Sequence, residues 1–339
     1  TRPALVTDPV AIDLYLRGRH EFMKFWGEAN QRAVDLFAAA HARAPEDPLI
    51  MAGYALALAR QFGAANSADR SDTARQVAED AVRLAPNLAE GHLALANVKL
   101  HDNDPGAAAA GVARALALSP LLPEAHDLRA RLLLEVAPPR EAIEAAERAI
   151  QLEPRLEHLR YSVQVRARFM LGELEAHDYD EVPSDPDVAA VYWIMIGRIT
   201  TWAVGTPAGE HFAGRLKRLP AMSQPMVAAL VELVGKREVP PGVRETFGAR
   251  VHDTRITQRA RVFWNQLSAE TRAYLGEYPF DDLKRAVEHG LFDVNWMDSC
   301  PLLEPMRREP EFAALRETVA ARARRVLVQL RGTDATLAG

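Results

Sequence analysis

The residues that could bind a metal ion are scattered, apart from one small group in the middle of the chain. His177, Asp178 and Asp180 lie close together in an acidic stretch that also contains prolines. The zinc-binding spacing His-Glu-x-x-His is absent, and the single cysteine, Cys300, excludes a cysteine-rich zinc site and an internal disulfide. We therefore predict that these side chains are solvated or cap helices, and that the chain binds no metal.

The spacings that support nucleophilic catalysis or phosphate binding are also missing. No Gly-x-Ser-x-Gly occurs, and no Gly-Lys-Ser/Thr follows the small polar residues 63–67. Cys300 lies between Trp296 and Pro301 in an apolar neighbourhood, which favours a packed thiol over an activated one. The sequence thus predicts no catalytic residue and no cofactor.

Composition narrows the class of protein and of partner. The chain has 339 residues, of which 48% are apolar, enough for two compact domains or one elongated solenoid. Its 41 basic and 46 acidic residues are interspersed without a basic stripe, so a nucleic acid is not expected as a partner. The most apolar window, residues 188–196, is too short to cross a bilayer, and we predict no membrane insertion.

A repeated pattern of small residues precedes four prolines. Three apolar or small residues at i, i+4 and i+7 stand before each of Pro45, Pro86, Pro120 and Pro154. They are Ala33, Phe37 and Ala40; Ala74, Ala78 and Ala81; Ala108, Val112 and Ala115; and Ala142, Ala146 and Ala149. The last three prolines are 34 residues apart, which is the tetratricopeptide period.

This spacing places the small residues on one face of a helix, where a second helix can approach closely. Proline after each helix ends it, and a preceding apolar helix completes each pair. A small residue recurs where the two helices must cross, at Gly18, Ala55, Ala96 and Ala130. The pattern predicts an all-α, right-handed α-solenoid of helix-turn-helix repeats, in which stacked pairs bury a continuous core.

These residues resemble the tetratricopeptide repeat family. The run YLRGR at residues 15–19 resembles the start of arrays that are joined to bacterial serine/threonine protein kinases and adenylate cyclases. The runs AVEHGLF at 286–292 and WMDSCPLLEPMRREPEF at 296–312 resemble the end of the kinase-linked arrays. No glycine-rich loop, His-Arg-Asp or Asp-Phe-Gly of a kinase is present. We expect a cytoplasmic chain, or an extracytoplasmic one if it is a fragment of a membrane-anchored kinase.

The period fades in the second half of the chain. We predict a repeat array at 8–177, an acidic proline-containing break at 178–187, and a helical region at 188–331 with a degenerate terminal pair and a capping helix. The predicted helices of this half are 157–177, 188–204, 208–219, 225–236, 239–250, 254–267, 280–289 and 310–331.

The first helices of such pairs line a concave surface, which the resemblance implies as the binding site for a peptide or partner protein. Helical phase predicts that this face includes Arg19, Phe22, Leu56, Glu90, Leu93, Asn97, His101, Asp127, Arg131, Tyr161 and Arg168. Asn97 and Arg131 occupy corresponding places in consecutive repeats, where they could clamp a peptide backbone or a carboxylate.

We therefore predict a non-catalytic protein-binding module. One alternative is the regulatory or scaffolding arm of a kinase or cyclase. Another is an enzyme whose site lies in the second half, around Trp193, Trp202 and His211. A further possibility is self-association through the exposed ends of the solenoid.

Overall fold

The computed structural model describes residues 8–24, 27–61, 67–218, 225–236, 238, 245 and 248–332. Within these residues every regular element is a helix and there is no β-strand, which confirms the predicted all-α class. The first eight helices are α1 Pro9–Phe22, α2 Gly27–Arg43, α3 Pro48–Arg60, α4 Ser67–Leu84, α5 Ala89–His101, α6 Pro105–Leu118, α7 Pro123–Val136 and α8 Pro139–Leu152.

Proline and aspartate set where several of these helices begin. Proline is the first residue of α1, α3, α6, α7 and α8, where its missing N–H costs no helical hydrogen bond. Asp8, Asp47 and Asp104 precede three of those helices, and each carboxylate accepts a hydrogen bond from a backbone N–H of the first turn. The chain is therefore divided into short helices by local chemistry before any packing.

The eight helices pack as four pairs, and each pair also contacts the next in a solenoid-like arrangement. All twelve residues of the predicted small-residue pattern are at most 1% exposed. The predicted crossing residues Gly18, Ala55, Ala96 and Ala130 are buried as well. Gly18 and Gly53 lie against the ring of Phe37, where a larger side chain would not fit. A Cβ on Gly53 would approach Phe37 Cε1 to 2.8 Å.

The second half contains eight more helices among the described residues, together with short 3-10 turns at Pro154–Leu156, Ala176–Tyr179, Pro301–Leu303 and Met306–Arg308. The helices are α9 Val165–Leu171, α10 Pro186–Trp202, α11 Pro207–Leu216, α12 Pro225–Lys236, α13 Gln258–Tyr274, α14 Phe280–Glu288, α15 Val294–Ser299 and α16 Pro310–Arg331. A π-helical turn, Arg160–Gln164, leads directly into α9. None of the described helices has the length and apolar character needed to cross a bilayer.

One predicted helix of this half is wrong. The prediction of a continuous helix over 157–177 fails at Gly172, which takes a left-handed conformation with φ of 69° and ends α9. Glycine adopts this conformation without the steric cost of a Cβ, so it is a common helix terminator. The predicted helix 239–250 lies largely outside the described residues.

The chain folds back, so that its last helix lies on the middle of the array. α16 packs against α6 and α7, and its Ala323, Val326 and Leu330 join the core of the array. The prediction that this helix caps the end of the array is therefore wrong. An amphipathic pattern specifies an apolar face but not the helix that will cover it.

Two further contacts join the C-terminal region to the loops of the array. Asn103 donates a hydrogen bond from Nδ2 to the carbonyl oxygen of His289 at 2.6 Å. Asn295 donates to the carbonyl oxygens of Leu134 and Ala137, at 2.9 and 2.7 Å. The C-terminal region therefore packs against the side of the array, in addition to following it in the chain.

Candidate functional site

A groove opens between the first helices of the first three pairs. Its lining comes from α1, α2, α3 and α5 and comprises Tyr15, Arg19, Phe22, Phe37, Leu49, Gly53, Leu56 and Glu90. We call this the first-helix groove. It combines an apolar floor with charged groups at its edge, which is the composition of many ligand sites.

Aromatic rings form the floor of the first-helix groove. The rings of Tyr15 and Phe37 lie 5.7 Å apart between centroids. The guanidinium of Arg60 lies 3.4 Å from the centroid of the Phe22 ring, and it also donates a hydrogen bond to the Phe22 carbonyl oxygen. Arg60 is the only charged residue of α3, and burial lowers its pKa to about 9. The floor is thus held by packing and by the half-buried cation of Arg60 on the Phe22 ring.

Two charged groups at the edge of the groove differ in their partners. Arg19 donates from Nη2 to Glu124 Oε1 at 2.7 Å, and Glu124 is buried. Glu90 is half-buried and makes no hydrogen bond or ion pair with the part of the chain that the structure describes. Glu90 is therefore the charge of the groove that is open to a partner.

Further along the first helices, three of the predicted residues, His101, Asp127 and Arg131, belong to a polar cluster that is mostly buried. Asp127 is 1% exposed and accepts a hydrogen bond from Arg131 Nε at 2.9 Å. His101 and His158 lie within reach of the Arg131 charge, and burial lowers the pKa of each imidazole to about 3. Both histidines are therefore neutral at pH 7, and this cluster belongs to the core.

The last two predicted residues lie beyond the array, beside α10. The ring of Tyr161 meets that of Tyr192 edge to face at 5.2 Å, and that of Tyr179 at 6.5 Å. Arg168 is half-buried, and its charge acts on the Tyr179 hydroxyl. These aromatic contacts form part of the core of the second half.

The structure brings only part of the predicted concave face together. Arg19, Phe22, Leu56 and Glu90 line the first-helix groove. Leu93 and His101 are buried, and Asn97 donates from Nδ2 to the Leu93 carbonyl oxygen of its own helix at 3.0 Å. Asn97 and Arg131, the predicted clamp, therefore each bond within their own helix, and their role toward a peptide stays a prediction.

The prediction of the concave face misses four residues that line the groove, Tyr15, Phe37, Leu49 and Gly53, and two charged residues that support it. Arg60 supports the floor, and Glu124 holds Arg19 at the edge. The signal for Arg60 was available, since a lone charge at the end of the apolar helix α3 must find a polar partner. Glu124 gives no such signal, because a glutamate in the first turn of a helix is commonplace.

A second group of polar side chains lies on the opposite half of the molecule. His177, Asp180 and His211 place one nitrogen or oxygen atom each within 4.8 Å of one another, so they could hold a metal ion. Asp178, which the sequence grouped with His177 and Asp180, is exposed and not part of it. His211 joins the group because α11 returns to this turn, and sequence spacing gives no sign of that.

Comparison with models of known protein families gives no match, and no curated protein matches the sequence. The tetratricopeptide resemblance and the link to bacterial kinases therefore rest on the sequence pattern alone.

Proposed function

We propose that the chain is a non-catalytic protein-binding module that holds a peptide segment in the first-helix groove. One observation carries the proposal: three successive first helices, together with Phe37 of α2, present an apolar floor beside a carboxylate, Glu90, that makes no hydrogen bond or ion pair among the described residues. The rigid floor around Phe37 favours binding, because little order is lost when a segment enters a preformed site. Regulation of a kinase or cyclase stays a prediction from the sequence resemblance.

The groove favours a particular class of segment. Its floor suits an apolar side chain that lies across it, since the residues of the floor are tyrosine, phenylalanine and leucine. Glu90 suits a lysine or arginine next to that anchor, because Arg19 is already paired with Glu124. We therefore expect segments that combine an aromatic or leucine residue with a nearby basic residue.

Selection from a random peptide library displayed on phage, with the purified chain as bait, tests this proposal. We expect enriched peptides to share an apolar anchor beside lysine or arginine. Each enriched peptide is then titrated by fluorescence anisotropy against the wild type and against Glu90→Gln and Glu90→Lys. Loss of the charge pair should weaken binding by about tenfold or more, most strongly in Glu90→Lys.

Glu147→Lys is the matched control, because Glu147 is an exposed carboxylate on α8, away from the groove. This variant should bind as the wild type does. The far-ultraviolet circular dichroism of all variants should be unchanged, since Glu90 makes no hydrogen bond or ion pair among the described residues and the helix dipole changes stability by only about 1 kcal/mol at this position. Enriched peptides without a basic residue, or equal affinity for wild type and Glu90→Lys, would contradict the proposal.

A further inference from the structure

Two imidazoles and a carboxylate converge on one face of the second half. His177 lies in the turn Ala176–Tyr179, Asp180 follows it, and His211 belongs to α11. His211 Nε2 lies 2.6 Å from Asp180 Oδ1, and His177 Nδ1 lies 3.1 Å from Asp180 Oδ2. The two imidazole rings meet edge to face with centroids 4.5 Å apart. Both histidines therefore face the same carboxylate from two different segments.

We propose that His177, Asp180 and His211 form a Zn²⁺ site. Two imidazole nitrogens and one carboxylate oxygen are ligands that Zn²⁺ favours, and a water molecule can complete a tetrahedron. Zinc–ligand bonds of about 2.0–2.1 Å set neighbouring ligand atoms about 3.3 Å apart in that geometry. The two imidazoles approach different oxygens of Asp180, at 2.6 and 3.1 Å, and one ligand atom of each residue lies within 4.8 Å of the others. Binding therefore needs side-chain shifts that bring both imidazole nitrogens to about 3.3 Å from one carboxylate oxygen.

The rest of the fold holds the turn in place without an ion. Arg215 donates from Nη2 to the backbone carbonyl oxygen of Asp180 at 2.6 Å, and from Nη1 to the carbonyl oxygen of Tyr179. Tyr192 donates its hydroxyl hydrogen to that same Tyr179 oxygen at 2.5 Å. Because the backbone beside the three side chains is anchored in this way, they are partly preorganised for a metal ion.

One neighbouring charge opposes the ion. Arg215 Nη1 lies 3.3 Å from Asp180 Oδ1, so the guanidinium competes with Zn²⁺ for the carboxylate. His177 has a side chain that is 81% exposed, which leaves the site open to solvent. We therefore expect Zn²⁺ to bind reversibly. A bound ion would join the turn at Ala176–Tyr179 to α11. These two segments lie on either side of α10 in the sequence.

Calorimetric titration of the metal-free full chain with Zn²⁺ tests this site. We expect one equivalent to bind, and His177→Ala or His211→Ala to weaken binding by at least about tenfold. His92→Ala and His126→Ala are matched controls, because each of these imidazoles bonds to a proline carbonyl oxygen outside the cluster, at 2.8 and 2.9 Å. Both controls should retain the wild-type affinity.

Two further measurements keep the test independent of small changes in folding. Zn²⁺ should raise the thermal unfolding temperature of the wild type but not of His177→Ala, since a ligand that binds only the folded state stabilises it. Bound Co²⁺ should give the visible absorption of a tetrahedral site. Absence of Zn²⁺ binding, or equal affinity in wild type and His211→Ala, would overturn the proposal and leave a hydrogen-bonded cluster only.

Discussion

The two halves of the molecule have cores of different chemistry. In the array, helices meet along seams of alanine, and every residue of the repeated pattern is at most 1% exposed. In the second half, helices meet around aromatic rings such as Trp296 and Tyr192, and arginine–carboxylate pairs are buried among them. Arg166 and Asp293 form one such pair, with side chains only 5% and 3% exposed.

This difference shows where each half gains its stability. The array depends on many similar contacts between neighbouring helices, so no single residue decides the fold. The array also buries carboxylates, but their arginine partners are about one third exposed. In the second half both members of the pairs are buried, and a buried charge without its partner is costly. The halves meet at a further pair, Arg259 and Glu135, where burial raises the pKa of the glutamate.

The largest expected effect comes from breaking one buried pair of the second half. Glu270 accepts hydrogen bonds from Arg198 at 2.5–3.0 Å and one from Trp296 Nε1 at 2.6 Å. Replacement Glu270→Ala leaves the Arg198 charge buried, and we expect the free energy of unfolding to fall by about 3–5 kcal/mol. Urea unfolding followed by tryptophan fluorescence measures this loss.

The double variant Arg198→Met with Glu270→Leu separates the charge from the packing. It removes both buried charges and keeps similar volume, so it should lose much less stability than Glu270→Ala alone. If Glu270→Ala lowers the free energy of unfolding by less than about 1 kcal/mol, the second half does not depend on its buried pairs.

Acid should act on the array through its two buried histidines. The folded-state pKa of His101 and of His158 is about 3, whereas the ordinary value is 6.5. Between these two values the unfolded chain binds more protons, so the free energy of unfolding falls as the pH falls through that window and is fully retained above it. At about pH 5 each histidine should cost about 2 kcal/mol relative to pH 7.

Urea unfolding at several values between about pH 5 and pH 7, in wild type and in His101→Gln and His158→Gln, measures this dependence. Each replacement should reduce the slope of stability against pH, whatever its effect on absolute stability. Carboxylates and the other histidines contribute equally to all three proteins and cancel in the comparison. Equal slopes in the three proteins would show that neither histidine is buried in its neutral form.

The contrast between the halves also explains how much of the fold could be predicted. The i, i+4, i+7 spacing of alanines reports burial directly, because small residues at a helical period have few other uses. The same reasoning gives α16 its range, 310–331, but not its position on α6 and α7. The contact between Arg198 and Glu270 joins residues 72 positions apart, and no local pattern connects them.

The candidate site divides in the same way. Helical phase placed Arg19, Phe22, Leu56 and Glu90 on one face, and they do line one groove. It also placed Asp127 there, but Asp127 is buried. Helical phase gives the direction of a side chain on its helix and does not show which element packs over it. The pairing of Asp180 with His211 depends on how the turn after α9 returns to α11.

A smaller effect is expected at the closest approach within a helix pair. A Cβ on Gly111 of α6 would lie 2.8 Å from the Ala96 Cβ of α5 and 3.2 Å from the His92 carbonyl oxygen. Gly111→Ala should therefore overpack this seam and lower the free energy of unfolding by about 1–3 kcal/mol. Thermal unfolding measures it.

Gly106→Ala is the matched control, since it lies in the same helix. A Cβ there would meet only Asp104 Oδ1, at 3.7 Å, so this change should stabilise the chain by up to about 1 kcal/mol. An equal stabilisation in both variants would mean that helix propensity, and not the close seam, sets the response.

The smallest effect is expected for an arginine–aspartate pair on the surface of the second half. Arg316 donates to both carboxylate oxygens of Asp298 at 2.6 Å, yet these side chains are 41% and 43% exposed. Water solvates both charges in the absence of the pair, so Asp298→Asn should cost less than about 1 kcal/mol. Added salt should reduce that cost further in urea unfolding, because exposed charges are screened.

The pair of Arg316 and Asp298 has hydrogen bonds as short as those of the pair of Arg198 and Glu270. If Asp298→Asn cost as much stability as Glu270→Ala, then geometry, and not burial, would make the second half depend on its charges.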